Sequence, residues 1–315
     1  MTPEEARAVA ASLGFVPQRE PEPLSGGNLN WVFRVRRHDP VDSAILKVSP
    51  PFVARVPDIP LDVGRSAQER KGLARAAEVL GPARVPSVRA HGDQPAALLL
   101  EDLAPDGTAR DLGDLLRAGD PGVPELLRDL GRGIGQLHAA TWGPDDHGLA
   151  NRAVQGTRHE VQYRQVPSWL AANGHDPRLG DPVVALGERL RDASGRCLVM
   201  GDLWPASVLV RPGGDWALID WELCHHGQPL QDVAHLLAHL RLLAPSDEVA
   251  EGWGKALSIG YWATSPAWPT SLHRDALLHE AAELLARSVG SFPLFDDGDP
   301  RIEQMVAVAV RLLAA

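Results

Sequence analysis

The stretch from residue 197 to residue 232 constrains the chain most. Two short apolar runs, residues 197–200 and 217–219, each lead into an acid: Asp202 through Gly201 in the first case, Asp220 directly in the second. Between them, residues 207–210 (Ser-Val-Leu-Val) are a third run of strand composition, and Gly213-Gly214-Asp215 is a turn signal. The pattern predicts strand, loop, hairpin, loop, with Asp202, Ser207 and Asp220 at the loop mouths. Oxygen ligands held at strand ends suit a phosphate that carries a cation. The plain alternative is a β-hairpin whose ends bear solvated acids.

The rest of the chain narrows the partners. At 315 residues it is long enough for one large domain or two lobes with a real core. The 31 basic residues are outnumbered by 41 acidic ones, a formal charge of -10. That balance argues against nucleic acid or an anionic membrane as the partner. Cys197 and Cys224 are the only cysteines and form no CxxC, so a reducing compartment is expected. Residues 1–15 are acidic and amphipathic rather than signal-like, and no run of 18 apolar residues occurs. The expected location is therefore cytoplasmic.

Residues 4–13 have helical spacing, with Pro3 near the start and Gly14 past the end. The Ser25-Gly26-Gly27-Asn28 turn precedes a strand over 30–35, and 43–48 is a second strand. A glycine-rich turn of this kind lets backbone N–H groups approach a phosphate closely; an ordinary hairpin is the alternative. Lys47 stands inside an apolar strand and Glu69 on the next helix, 65–80; each taken alone reads as a solvated charge. Residues 98–103 are a strand running into Glu101 and Asp102, and 104–124, rich in Pro, Gly and Asp, is the expected boundary. From 125 onward, outside the opening stretch, the spacing is helical, over 125–142, 228–243, 247–264, 271–289 and 301–315. His138 follows the apolar stripe of the first of these and reads as a packed, hydrogen-bonded histidine.

Taken in order, these motifs resemble the small-molecule kinases of the aminoglycoside phosphotransferase type, relatives of the protein kinases. Within that group the chain is most similar to the methylthioribose kinases. The residues that carry the resemblance are Gly27-Asn28-Leu29-Asn30-Trp31-Val32-Phe33-Arg34-Val35, Lys47-Val48-Ser49-Pro50-Pro51-Phe52, Glu69, and Leu100-Glu101-Asp102-Leu103. In the opening stretch they are Gly201-Asp202-Leu203 with Ser207, Asp220-Trp221-Glu222, and Gly227 through Asp232. Three departures stand out. Met200 replaces the usual His, Trp204-Pro205-Ala206 replaces His-Thr-Gly, and Ala286-Arg287 replaces a tandem arginine.

The resemblance implies an α/β (α+β), two-lobed, protein-kinase-like fold. A small antiparallel-sheet N-lobe would span residues 1–103 and a mainly helical C-lobe 104–315. It also implies transfer of the γ-phosphoryl of ATP, with Mg2+, to a hydroxyl of a sugar or thio-sugar. Asp202 would orient the acceptor and take its proton. Ser207, Asp220 and Glu222 would serve the metal. Gly26, Gly27, Asn28, Asn30, Lys47, Glu69, Glu101 and Leu103 would hold the nucleotide. Arg287, Trp204 and Trp221 would shape the acceptor site. A small hydroxyl-bearing acceptor is the expected partner, without nucleic acid or membrane, and a homodimer is compatible with it. Two alternatives stay open. One is an aminoglycoside- or choline-type acceptor, for which Asp296, Asp297 and Asp299 would supply acids. The other is a non-catalytic nucleotide-binding pseudokinase, suggested by Met200 and Ser207.

Overall fold

The computed structural model describes residues 1–24, 29–38, 42–145, 147–192, 197–290 and 292–315. Gly26, Gly27 and Asn28 lie outside the described residues. In chain order the elements begin α1 (Pro3–Ser12), β1 (Glu22–Pro23), β2 (Trp31–His38), β3 (Asp42–Val48), β4 (Phe52–Val53), β5 (Val56–Pro60) and α2 (Arg65–Leu80). There follow β6 (Val88–Asp93), β7 (Ala96–Glu101), β8 (Arg110–Asp111), α3 (Leu112–Ala118), α4 (Val123–Ala140), α5 (Arg152–Val161), α6 (Val166–Ala172) and α7 (Asp181–Asp192). The last are β9 (Cys197–Val199), β10 (Val208–Val210), β11 (Trp216–Leu218), β12 (His225–Gly227), α8 (Pro229–Leu243), α9 (Asp247–Trp262), α10 (Thr270–Ser288) and α11 (Pro300–Ala314). None of the described helices is long and apolar enough to cross a membrane. The class is mixed α/β, as the sequence implies.

The chain folds as two compact units. Met1–Leu112 and Ala206–Leu223 make the first; Gly113–Pro205 and Cys224–Ala315 make the second. The segment 206–223 belongs with the first because β10 pairs antiparallel with β8 as well as with β11. The expected 1–103 and 104–315 division had assigned that hairpin to the second part.

The first unit is built on a five-stranded sheet ordered β1-β2-β3-β7-β6, antiparallel throughout. Strand side chains alternate between faces. Phe33, Val35, Ala44, Leu46, Val48, Ala97 and Leu99 form one face and pack with Ala6 and Ala10 of α1 and with Phe15. Lys47 lies one residue out of step with that set, in the central strand, opposite Val32 on one side and Leu98 on the other. The pleat therefore sends Lys47 to the face away from α1. Edge strand β6, absent from the sequence reading, carries Arg89, His91 and Asp93, and its burial pattern alternates only between exposed and half-buried. A strand with so little apolar content gives little periodic signal.

In the second unit, α4 and α9 pack closely at glycines. A Cβ on Gly260 would stand 1.9 Å from the Arg128 carbonyl oxygen, and one on Gly131 2.3 Å from that of Leu257. A larger core joins α8, α10 and α11 to α6 and α7 through residues such as Leu170, Leu186, Leu242, Leu285 and Val306. Helix α8 is buried on nearly every side. That leaves its polar residues, among them Asp232, His235 and His239, to find partners inside the unit.

Candidate functional site

In the first unit Lys47 and Glu69 meet. Lys47 Nζ donates to Glu69 Oε1 at 2.9 Å and to Asp220 Oδ1 at 2.5 Å, and lies 3.4 Å from Glu222 Oε2. Glu69 is placed by α2, where Glu69, Leu73 and Ala76 are all buried. Its Oε1 also accepts the Trp221 backbone N–H at 3.2 Å, which ties the helix to the loop after β11. Asp220 itself has φ 69°, the one non-glycine at positive φ among the described residues. Such a conformation costs about 1–3 kcal/mol and persists only where its surroundings over-determine it. Here the Ile219 N–H to Ser207 carbonyl bond (2.9 Å) precedes it and the Trp221 N–H bond follows it.

The electrostatics of this cluster are lopsided. Burial favours a neutral Lys47, but Asp220, Glu222 and Glu69 outweigh it and hold the ammonium well above its ordinary range. Burial pushes the Glu69 carboxyl up, and the Lys47 charge only partly offsets it. Glu222 is pushed well up by burial and by the neighbouring Asp220 carboxylate. One cation thus serves three carboxylates, an arrangement short of positive charge.

Whether this set suits a divalent cation can be judged from its donors. Glu222 Oε2 is buried without a hydrogen-bond partner, and the Asp220 side chain is 38% exposed. Ser207 is buried at the end of a 3-10 turn, Pro205–Ser207. These hard oxygen donors fit Mg2+. Among the described residues no three or more His, Cys, Asp or Glu side chains are grouped to hold a metal on their own. That matches an ion bound through one or two carboxylates plus substrate phosphates rather than a protein cage.

The other nucleotide-side residues are placed as follows. Asn30 is buried, and its side-chain oxygen accepts from Arg65 Nε at 3.1 Å. The Glu101 carboxylate accepts from Ser87 N and Oγ (3.2 and 2.8 Å), so it fastens the strand end. Asp102 is buried and bridges Arg34 (2.7 Å) and Ser43 (2.8 Å). Leu103 lines a cavity of 320 Å³ together with Pro105, Thr108 and Pro212. Trp221, expected to shape the acceptor site, is fully buried with its indole N–H on the Leu218 carbonyl at 3.1 Å. Its ring is part of the first unit's interior, which leaves Trp204 as the candidate acceptor-side tryptophan.

In the second unit Asp202 follows β9. Its loop is held by Asp232 of α8, whose carboxylate accepts the N–H groups of Met200 (2.8 Å) and Gly201 (2.9 Å). His138 is fully buried between Tyr261 Oη (3.1 Å) and Asp232 (3.4 Å), the packed histidine its sequence context suggests. The Asp202 side chain is 32% exposed and lies 3.8 Å from Arg158 and 3.9 Å from Arg287. Burial pushes the Asp202 carboxyl up, and the two guanidiniums offset this only in part. Arg287 donates from Nε to Glu283 at 2.7 Å and stands over the Trp204 ring, 5.9 Å from its centroid. Glu283 also accepts from Gln162 (2.6 Å) and lies 3.1 Å from His239 Nε2. Burial opposes the Glu283 charge, but Arg287 and His239 outweigh it and hold the carboxyl well below its usual range.

Arg158, His235, His239 and Glu283 escaped the sequence reading. Their spacing held the clue: His235/His239 and Glu283/Arg287 each stand four residues apart, on one face of a helix. Only the packing of α8 against α10 shows that these polar rows face inward. Asp299, by contrast, caps α11 and pairs with Arg301, and Asp296 and Asp297 are exposed.

Residues 20–269 match the phosphotransferase enzyme family, and the chain belongs to that family. It is 28% identical over 247 residues to a 4-hydroxytryptamine kinase of Psilocybe cyanescens, covering 70% of this chain and 67% of that protein. Among solved structures it is similar to a choline/ethanolamine kinase family protein from Mesorhizobium loti, with TM-score 0.61 and 15% identity over 99% of each chain. It is similar also to an aminoglycoside phosphotransferase from Streptomyces rimosus, with TM-score 0.55 and 18% identity over 90% of this chain and 99% of that one. These likenesses show the kinase-like fold. The chain is an enzyme, a small-molecule kinase that uses a hydroxyl group as acceptor.

Proposed function

We propose that the enzyme transfers the γ-phosphoryl group of ATP, with Mg2+, to a hydroxyl of an uncharged polyhydroxyl acceptor of the sugar or thio-sugar kind. The observation that carries the acceptor class is the engagement of Glu283. Its carboxylate already serves Arg287, His239 and Gln162, and Asp202 is flanked by two guanidiniums. A cationic acceptor would meet these arginines with no unengaged buried carboxylate in that cluster to receive it. A ring of hydroxyls would instead find donors on Arg287 and an apolar wall in Trp204.

In this reading the acceptor oxygen bonds to the γ-phosphorus, the bond to the β,γ-bridging oxygen breaks, and the acceptor proton passes to Asp202. A carboxyl with a raised pKa is a better proton acceptor than an ordinary aspartate while it remains ionised. Lys47 holds phosphate oxygens, and Glu69 fixes the direction of its ammonium. Asp220, Glu222 and Ser207 offer oxygen ligands to Mg2+, which when bound neutralises phosphate charge. The strand end at Glu101 to Leu103 meets the adenine edge, and the turn at Gly26, Gly27 and Asn28 covers the phosphates. Phosphoryl transfer asks mainly for positioning and charge neutralisation, which is what these groups supply.

A second reading, an aromatic amine bearing a hydroxyl, draws on the identity to 4-hydroxytryptamine kinase and on the Trp204 ring beside His239 (6.0 Å). ADP release over a panel of methylthioribose, other pentoses, choline, aminoglycosides and 4-hydroxytryptamine decides between them. Turnover confined to the cationic members would sink the polyhydroxyl reading; no turnover with any member at saturating MgATP would sink both.

A further inference from the structure

Arg158 is a costly residue for a fold to keep. It sits in the last turn of α5 with its side chain 10% exposed, and its Nε is buried without a hydrogen-bond partner. A buried guanidinium with an unsatisfied donor stabilises poorly, so a purely structural account of it is weak. What it touches is specific. Arg158 Nη2 donates to the Gly201 carbonyl and lies 3.8 Å from Asp202 Oδ1. Its Nη1 donates to the His235 ring (3.0 Å to Nε2) and to Gln162 Oε1 at 3.3 Å.

The Gly201 carbonyl belongs to the peptide that carries Asp202. The N–H of Gly201 is already fixed by Asp232 at 2.9 Å, and Gly201 adopts φ 78°, a left-handed conformation that a glycine accepts without penalty. Asp232 on one side and Arg158 on the other therefore grip successive peptide groups of the loop. With both groups pinned, little rotation is left to the backbone that aims the Asp202 carboxylate. His235 completes the grip from α8. Burial and the Arg158 charge hold its pKa well below the ordinary value, so its ring stays neutral and offers a lone pair to the guanidinium.

We propose that Arg158, braced by His235, is the positioning residue of the catalytic loop, setting the Gly201–Asp202 peptide so that the Asp202 carboxylate meets the acceptor hydroxyl. This rests on the assignment of Asp202 as the proton acceptor. The groups around Asp202 are Arg158 from α5, Arg287 and Glu283 from α10, and His239 from α8. Around Arg158 stand His235 from α8, Tyr163 following α5, and His279 from α10. His279, pushed down to about 3 by burial and then by Arg158, is neutral across the working range, as His235 is. Asp202, Glu283 and the two arginines then supply the charges that matter to the base, apart from His239.

The test compares Arg158→Ala and Arg158→Lys with wild type, with Asp202→Asn as reference and Arg164→Ala, an exposed arginine three residues beyond α5, as control. Arg158→Ala is expected to lower kcat about a hundredfold, the scale of a small misplacement of a reacting group, with KM for MgATP unchanged. Losing the guanidinium charge raises the Asp202 pKa, so the acid limb of the kcat profile moves to higher pH. Arg158→Lys is expected to keep the limb in place while recovering only part of the rate, because an ammonium lacks the fork that grips two acceptors. Equal kcat and equal acid limbs for Arg158→Ala and Arg164→Ala overturn the proposal, as does a full wild-type rate in Arg158→Lys. If Arg158→Ala fails to fold, Arg158→Lys alone decides on the same terms. Undiminished turnover in Asp202→Asn would remove the assigned base and the proposal with it, an outcome separable from an inert Arg158.

Discussion

Replacing Glu283 by Gln tests the polar centre of the second unit. The side chain is 3% exposed and accepts from Arg287 at 2.7 Å and Gln162 at 2.6 Å, with His239 at 3.1 Å. Glutamine keeps the shape but removes the charge and turns one acceptor oxygen into a donor. Removing one partner of a buried ion pair outright costs about 3–5 kcal/mol. Here Arg287 keeps Asp202 at 3.9 Å and is 16% exposed, so part of its compensation survives. The expected loss is about 2–3 kcal/mol, comparable to one or two hydrogen bonds to a charged group. The pH dependence gives the stricter check. Because the folded pKa of Glu283 is depressed, its contribution is fully present above the unfolded value of about 4.3 and is lost as pH falls through the folded one. Urea midpoints of wild type and variant should differ by the full amount at pH 7, 6 and 5, and converge only below about pH 4. Equal midpoints at pH 7, or a gap that widens on acidification, would refute the assignment of a stabilising carboxylate.

Two further outcomes are expected. MgATP should raise the melting temperature of the wild type, and Lys47→Ala should shrink that rise: a tenfold weaker affinity removes about 1.4 kcal/mol of ligand stabilisation at saturating nucleotide. An undiminished shift would show that the Lys47 ammonium does not meet the phosphates. In helix α9, Gly260→Ala drives a methyl to 1.9 Å from the Arg128 carbonyl and should cost at least about 1–3 kcal/mol, whereas Gly252→Ala enters open space and should stabilise by up to about 1 kcal/mol. Thermal melts that rank the two variants equally would mean that α4 and α9 are not in that contact.

Much of the chemistry was legible before any fold was known. Lys47, Glu69, Asp202 and Asp220 were identifiable because each sits at a fixed offset from a local signal: an apolar strand, a helical stripe, or a glycine before an acid. Local periodicity also placed helix Arg65–Leu80 and set the register that turns Lys47 away from Leu46. What the sequence could not decide were pairings between distant segments. Lys47 and Asp220 are 173 residues apart, Arg158 and Gly201 are 43, and Gln162 and Glu283 are 121. Such contacts depend on which helix faces pack together, and a polar residue on a helix looks the same in one sequence whether it faces water or a partner. Trp221 shows the converse: its place in the motif suggested a wall of the acceptor site, and only the fold reveals a ring buried on the Leu218 carbonyl. Local pattern determined the elements and the reactive side chains; tertiary packing decided their partners, because burial removes the solvent that would otherwise satisfy each charge.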